Sequence, residues 1–336
     1  MPDSEVLETF NEAGILTQPN SVFSDFRLPF RVVFYPLGFA VEINTNSGEV
    51  LAAAEESWGR FRKGFSEPPV RLEVGVLTDG SRECPPAPDC RARGHLLTNI
   101  ANAGNFSVCD LRQGFAFAWL TSVAVENRSY FRYYFLEAAA LTLLESMYMT
   151  PLHAACVEIG GHGVLLCGET GAGKSSLAFA CARKGWKFLS DDGSAIVRKR
   201  MGRVVVGNPH QMRFRESAIE LFPELSGQPV MPRATGKIAI ELATATLPEI
   251  ATITECQIDY IVFLNRRDPA PPGLWSLPKE IALQYFERSI CLGEKELRQS
   301  QSASVQNLLT ARVLEMRYSE LDWAVTRLEA LVQEGT

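Results

Sequence analysis

The chain has 336 residues, 46% of them hydrophobic and 21% charged, with a formal net charge of -6. That length suits one large domain or two ordinary ones, and the composition is that of an ordinary globular protein. The basic excess of a sequence-indifferent nucleic-acid binder is lacking, and the longest apolar stretch, GFAFAWLTSVAV from Gly114, is too short to span a bilayer.

The N-terminal MPDSEVLETF is acidic and has no charged-then-apolar leader, so export is not expected. Of the scattered cysteines, Cys156, Cys167 and Cys181 lie in apolar runs, where cysteine behaves as a small buried hydrophobe in a reducing compartment. A cytoplasmic protein is the expectation. Cys84 and Cys90 flank the Pro-rich loop CPPAPDC as a candidate metal or disulfide pair, without a second pair at zinc-like spacing.

In chain order, FRVVFYPLGFAVEI predicts two strands around a Pro-Leu-Gly turn. SGEVLAAAEESWGRFRKGF has helical spacing, with Ser47 as N-cap and Gly64 as stop. VRLEVGVL alternates as a half-buried strand does, and residues 80–93 read as a surface loop. NFSVCDL and GFAFAWLTSVAV are further strands, and SYFRYYFLEAAALTLLESMYM is one long helix. No catalytic constellation shows in this portion. We therefore divide the chain into an α+β N-terminal domain, residues 1–147, for packing or partner recognition, and a second domain, residues 148–336, in which the motifs below lie.

From His153 the pattern tightens. AACVEI and GVLLCG are apolar strands joined through Gly160-Gly161, a hairpin dipeptide. KSSLAFACARKG puts Leu177, Ala178 and Cys181 on one helical face, with Gly185 as its stop. WKFL is a strand leading to Asp191-Asp192, and SAIVRK, RVVVG, KIAIEL and DYIVFLNR are later strands. In the tail, helical stretches around PKEIALQYFERSI and SELDWAVTRLEALV flank the strand-like RVLEMRY.

Between the second strand and the helix, Gly168-Glu169-Thr170-Gly171-Ala172-Gly173-Lys174-Ser175 fits the G-x-x-x-x-G-K-[ST] pattern at every position, with Ser176 next. Glycines let successive N–H groups curl around a phosphate, and the helix start adds its positive end. Lys174 brings a charge to the β- and γ-phosphates, and Ser175 offers its hydroxyl to Mg²⁺. The fold class is accordingly α/β, with ATP and Mg²⁺ as expected ligands.

Asp191 and Asp192 follow Lys174 by only 17 and 18 residues. In a parallel arrangement their strand returns beside the loop strand, and both carboxylates reach the same edge where Gly193 lets the chain turn. One carboxylate then suits a metal and the other a proton from an attacking hydroxyl. Taken alone, SDDGS reads as a solvated turn.

Residues 152–197 resemble the catalytic core of the HPr kinase/phosphorylase family, bacterial serine kinases built on a phosphoenolpyruvate-carboxykinase-like fold. The resemblance rests on His153, AACVEIGGHGVLL, GETGAGKS, SLAFACARKG and Asp191-Asp192 at matching spacings. It implies that Lys174 and the loop bind phosphates, that Ser175 and Asp192 serve Mg²⁺, and that Asp191 is the general base for a serine hydroxyl. His153 corresponds to a histidine beside the transferring phosphate. By itself it reads as a strand-start residue without special role. The implied activity is phosphoryl transfer from ATP to a serine of a protein or peptide.

The family's later signature is not evident in GNPHQMRFRESAIELFPEL, and the N-terminal half is unlike that of the founding enzymes. The acceptor, phosphorolysis and any homo-oligomer therefore stay open, a small-molecule hydroxyl included; neither nucleic acid nor membrane is an expected partner. Arg213, Arg215, Lys237, Arg266 and Arg267 are candidate phosphate-stabilising cations, Lys237 and Arg213 foremost. A nucleotide-responsive binding module without chemistry is the competing reading, and the aspartate pair argues against it, since binding alone needs no base. A mechanical or transport ATPase fits less well, because DYIVFLNRR ends in basic residues where a distant acidic motif belongs.

Overall fold

The structure is a computed structural model that describes residues 27–335 apart from 79, 81, 199, 201, 229, 233–237, 267–270 and 291–292. The hairpin β1 (Phe30–Phe34) and β2 (Val41–Thr45) is antiparallel around a 3-10 turn at Pro36–Gly38, as expected. Helix α1 (Gly48–Trp58) carries the chain over to β3 (Val70–Leu77), which pairs parallel with β2. Ser47 stands at its N-cap without a capping side-chain bond, and the helix stops at Gly59 rather than Gly64. The amides of Gly64 and Phe65 instead donate to the Gly38 carbonyl, which ties that segment to the turn.

β4 (Asp89–Arg93), β5 (Leu96–Asn102), β6 (Asn105–Asp110) and β7 (Phe115–Thr121) complete a seven-stranded sheet in the order β1-β2-β3-β7-β6-β5-β4. β4 corrects the expectation of a loop over residues 80–93. It is an edge strand exposed along its whole length, so its composition is that of a loop while its pairing with β5 is regular. β5 carried no expectation at all.

Two short helices, α2 (Ser122–Glu126) and α3 (Arg128–Phe131), precede a π-helical stretch at Arg132–Glu137 and then α4 (Ala138–Met147). The single long helix expected here is thus broken by a wider turn. In it Arg132 and Glu137 pair at 2.9 Å, and Arg132 Nε also donates to Ser57 Oγ on α1 at 2.8 Å. The sheet buries Val70, Leu72 and Val74 against Val50, Ala53 and Trp58 of α1 and Leu143 and Leu144 of α4 in one core. Each large apolar side chain buried this way stabilises by about 1.5–3 kcal/mol.

The second half is built on β8 (Met149–Ile159) and β9 (His162–Cys167), an antiparallel hairpin through Gly160 and Gly161, which take φ of 60° and 88°. Helix α5 (Lys174–Arg183) buries Leu177, Ala178 and Cys181 against this layer, as the periodicity predicts. β10 (Lys187–Ser190), β11 (Gly193–Val197) and β12 (Val204–Gly207) follow, then a small sheet of β13 (Gln211–Phe214), β14 (Val230–Pro232) and β15 (Ile238–Ala243). The long β16 (Glu255–Arg266) pairs parallel with both β9 and β18 (Arg312–Tyr318), and β17 (Gly273–Ser276) lies outside β18. Helices α6 (Lys279–Glu287), α7 (Lys295–Leu308) and α8 (Leu321–Gly335) complete the layers. α7 and β17 were not read from sequence: α7 is polar except for buried positions such as Val305 and Leu308.

The fold is α/β, with the glycine-rich loop between β9 and α5. Ala195, Val197 and Val206 of the second half pack into the core of the first. Among the described residues, no helix is long and apolar enough to cross a membrane.

Candidate active site

The apolar strand β9 delivers the chain to Gly168 with Val164, Leu165, Leu166 and Cys167 fully buried. Gly168, Gly171 and Gly173 then take φ of 147°, 93° and 96°, a range L side chains avoid. Space is also short at two of them. A Cβ on Gly168 would lie 2.8 Å from the Ala172 Cβ, and one on Gly173 would lie 2.7 Å from the Tyr318 hydroxyl. α5 starts directly at Lys174, so its free N–H groups and positive end face the loop. Such a cradle fits a phosphate chain.

The Lys174 side chain is buried. Its Nζ donates to the Gly168 carbonyl at 2.8 Å and lies 3.0 Å from His153 Nε2. Burial lowers its pKa, and the Asp192 carboxylate opposes that shift. His153 Nδ1 is 3.0 Å from Asp192 Oδ1. An ammonium only donates, so Nε2 accepts and the Nδ1 proton points to Asp192. Lys174, His153 and Asp192 thereby form one hydrogen-bonded chain.

The aspartates sit where they do for a reason other than the one expected. β10 does not lie beside the loop strand: it pairs antiparallel with β8, and β9 flanks β8 as well. β8 therefore runs between β9 and β10, which explains how His153 enters the site. The aspartates do follow directly on the end of β10 at Ser190, as expected, but the chain then goes on along β8 as β11. Ser190 pairs with Cys156 and Gly193 with His153, three residues further along each strand. Asp191 and Asp192 are an unpaired interruption in one run alongside β8, and such irregularities re-aim side chains.

The two carboxylates differ. Asp191 is buried, and its Oδ2 accepts from the Arg213 N–H at 2.5 Å. Its main-chain oxygen accepts from Ser175 Oγ at 3.3 Å, joining it to the loop. Burial raises its pKa to about 6 against the lowering effect of the Arg213 amide. Asp192 is exposed and faces His153. Asp191 is the more protected carboxylate and Asp192 the one next to the loop lysine.

Arg213, expected as a phosphate-stabilising cation, is turned elsewhere. Its guanidinium bonds Glu241 and Gln211, each at 3.0 Å, so its backbone amide bonds Asp191 while its charge acts on that carboxylate only at a distance. Arg215 and Arg266 lie nearer the loop. A Cβ on Gly171 would be 3.9 Å from Arg215 Nη1, and one on Gly173 would be 4.0 Å from Arg266 Cδ. Lys237 and Arg267 lie outside the described residues.

Sequence reasoning missed Tyr285 and Tyr318. The Tyr285 hydroxyl stands 2.8 Å from the His153 carbonyl and 2.9 Å from that of Gly168, and accepts from the Gly168 N–H at 3.2 Å. It pins loop and histidine to each other, and burial raises its pKa to about 12. Tyr318 donates to the Ala172 carbonyl. Neither belongs to a local motif.

The oxygen donors of Ser175 and Asp192, with the Asp191 carbonyl next to Ser175, suit a hard cation such as Mg²⁺. Among the described residues, no group of three or more His, Cys, Asp or Glu could hold a metal by itself. Cys84 and Cys90 are both free and exposed, so they form no disulfide.

Comparison with known proteins places these features. The family model described as HPr Serine kinase C-terminal domain matches residues 146–220. An HPr kinase/phosphorylase of Exiguobacterium is 35% identical over 65 residues, which is 19% of this chain and 21% of that one. A Clostridium botulinum HPr kinase/phosphorylase is 33% identical over 60 residues, 18% of this chain and 19% of its own. The match thus spans about a fifth of the length of these relatives. The solved structure titled Hpr(Ser) kinase/phosphatase from Coxiella burnetii aligns with 55% of this chain and 98% of its own, at 16% identity and a TM-score of 0.29. Over residues 146–220, which hold the hairpin, the phosphate loop, its helix and the paired aspartates, the chain is thus similar to the HPr kinases.

Proposed function

We propose that the protein is an ATP- and Mg²⁺-dependent phosphotransferase that moves the γ-phosphoryl group of ATP to an alcohol hydroxyl. One observation carries this: hydrogen bonds join the phosphate loop to the Asp192 carboxylate through Lys174 and His153, and to the main-chain oxygen of Asp191, whose carboxylate is buried beside it, through Ser175. A module that only bound nucleotide would have no use for a buried carboxylate there.

In this reading the loop amides from Gly168 to Ser175 and the start of α5 hold the phosphates, with Ser176 in the first turn of the helix. Lys174 leaves the Gly168 carbonyl to meet the β- and γ-phosphates, while His153 stays between it and Asp192. Ser175 and Asp192 would hold Mg²⁺, which would supply positive charge to offset the phosphates. The Asp191 carboxylate takes the hydroxyl proton, the alcohol oxygen bonds to the γ-phosphorus, and the bond to the β–γ bridging oxygen breaks, releasing ADP. Arg215 and Arg266 are placed to offset charge on the transferring group. Residues 1–147 and 148–336 are the two domains of this scheme.

The curated relatives act, by name, on HPr, and kinship of this kind favours a serine of a protein or peptide as acceptor. A small-molecule hydroxyl is the alternative that the cavity next to the aspartates favours. The test is incubation of the full chain with Mg²⁺ and γ-labelled ATP, followed by location of the label. Asp191→Asn should retain ATP affinity and lose transfer by about 10²–10⁴-fold. Wild-type turnover in that variant removes Asp191 from the base role.

A further inference from the structure

Next to the aspartates lies a cavity of about 820 Å³ whose lining includes Asp191 and Asp192 and no residue of 168–176. Its opposite wall belongs to the N-terminal half: the Pro36–Gly38 turn, the end of α1 with Trp58, Arg60 and Phe61, and the π-helical stretch. That wall lies outside the matched residues 146–220. Leu37 in the turn has a φ of 52°, a value that among the described non-glycine residues occurs only there. Backbone held in so sparse a region persists where surrounding structure imposes it, and it clusters at ligand sites.

The cavity is anionic once internal pairs are removed. Arg132 is matched by Glu137 and Glu56, and Arg213 by Glu241. Among the described residues, Glu55, Glu145 and Asp191 then line it without a salt bridge, against Arg60 alone. Arg198, whose charge acts on Glu145, donates instead to the main-chain carbonyls of Glu145, Ser146 and Met149. Burial pushes the Glu145 carboxyl up to about 7, so a cationic guest would relieve a real cost.

We propose that this cavity is the acceptor site and that its substrate is a small cationic alcohol, with its hydroxyl at Asp191 and its ammonium groups among Glu145 and Glu55. The proposal rests on the phosphotransferase reading. The volume lies in the range of small-molecule sites, about 300–1,000 Å³. The wall of α1 and the π-helical stretch stands in the way of a serine on a flat protein surface. A neutral polyol leaves the carboxylates unpaired, and an anion meets them with like charge. The aspartate pair then borders both nucleotide and acceptor, and direct transfer requires the acceptor hydroxyl to reach past Asp191 to within about 3–3.5 Å of the γ-phosphorus.

The test gives the full chain, Mg²⁺ and γ-labelled ATP four acceptors: 2-deoxystreptamine, a neutral hexitol, glycerate and a basic serine-containing peptide. The expected result is a phosphate ester on 2-deoxystreptamine, with kcat/KM at least about tenfold above the hexitol. Glu145→Gln, and separately the exposed Glu55→Gln, should raise KM for the amino alcohol about tenfold with a smaller change in kcat. Preference for the hexitol or glycerate, label confined to the peptide, or an unchanged KM in both folded variants overturns the acceptor class and leaves the phosphotransferase reading standing. Absence of ATP consumption in every arm overturns both.

Discussion

The phosphate loop and the N-terminal wall of the cavity next to the aspartates are built on different plans. The loop side is one continuous stretch, in which strand, turn, helix and carboxylates follow within about forty residues. The opposite wall is gathered from residues 36–61 and 132–149, and two tyrosines bracing the loop come from positions 285 and 318. In the proposed reading, the chemistry that phosphoryl transfer needs is thus written locally, while the parts that would choose an acceptor are assembled by the fold. Binding energy for a specific guest comes from the second plan.

The largest effect that sharpens this contrast is on the local side. Lys174→Met removes the charge aimed at the phosphates and should lower ATP turnover by at least about 10³-fold in a steady-state assay. It also removes one of the two donors at the Gly168 carbonyl and leaves His153 Nε2 without its lysine partner. A loss under tenfold would mean that the loop does not hold the reacting phosphates.

The next prediction separates two arginines only two residues apart. Arg215→Ala should reduce kcat by about 10–10²-fold, because its guanidinium stands over the loop at Gly171. Arg213→Ala should cost less than about tenfold, since the amide that bonds Asp191 survives the substitution. Equal losses would show that the Glu241 pair opens when nucleotide binds.

A smaller effect is expected at the brace. Tyr285→Phe deletes a hydroxyl shared by the His153 and Gly168 carbonyls, and should cost about 1–1.5 kcal/mol of stability by denaturant titration. It should also weaken ATP binding a few-fold, as the loop loses its tie to β8.

How far the site could be read from sequence follows the same division. Gly168, Gly171 and Gly173 were legible because a phosphate cradle needs positive φ at fixed spacing, and Gly160-Gly161 because a tight hairpin does. His153 was legible only through the family resemblance, for nothing local shows that β8 runs between β9 and β10. The wrong neighbour for Asp191 has the same origin: a strand–helix–strand pattern defaults to parallel pairing, and the hairpin inserted β8. Arg213 and Arg215 have equal standing in sequence, and only the register of β13 against β15 turns one of them to Glu241. β4, wholly exposed, gave no periodicity to read.

The last prediction sets activity against stability at one residue. Burial moves the Asp191 carboxyl from 3.8 to about 6. The folded state therefore binds its proton more tightly than the unfolded state, and this favours folding below pH 4. As pH rises through 6 that contribution is lost, and the ionised carboxylate is held at a cost of up to about 3 kcal/mol. Asp191→Asn keeps an acceptor for the Arg213 amide and carries no charge. At pH 8 the variant should be more stable than the wild type by about 1–3 kcal/mol, and the gain should hold nearly constant until the pH falls through about 6, then shrink towards pH 4. The same ionisation should appear in the wild-type rate, with kcat/KM falling below about pH 6 as the base is protonated. A stability gain independent of pH would trace the effect to packing at β13, and the base role would then rest on the rate profile alone.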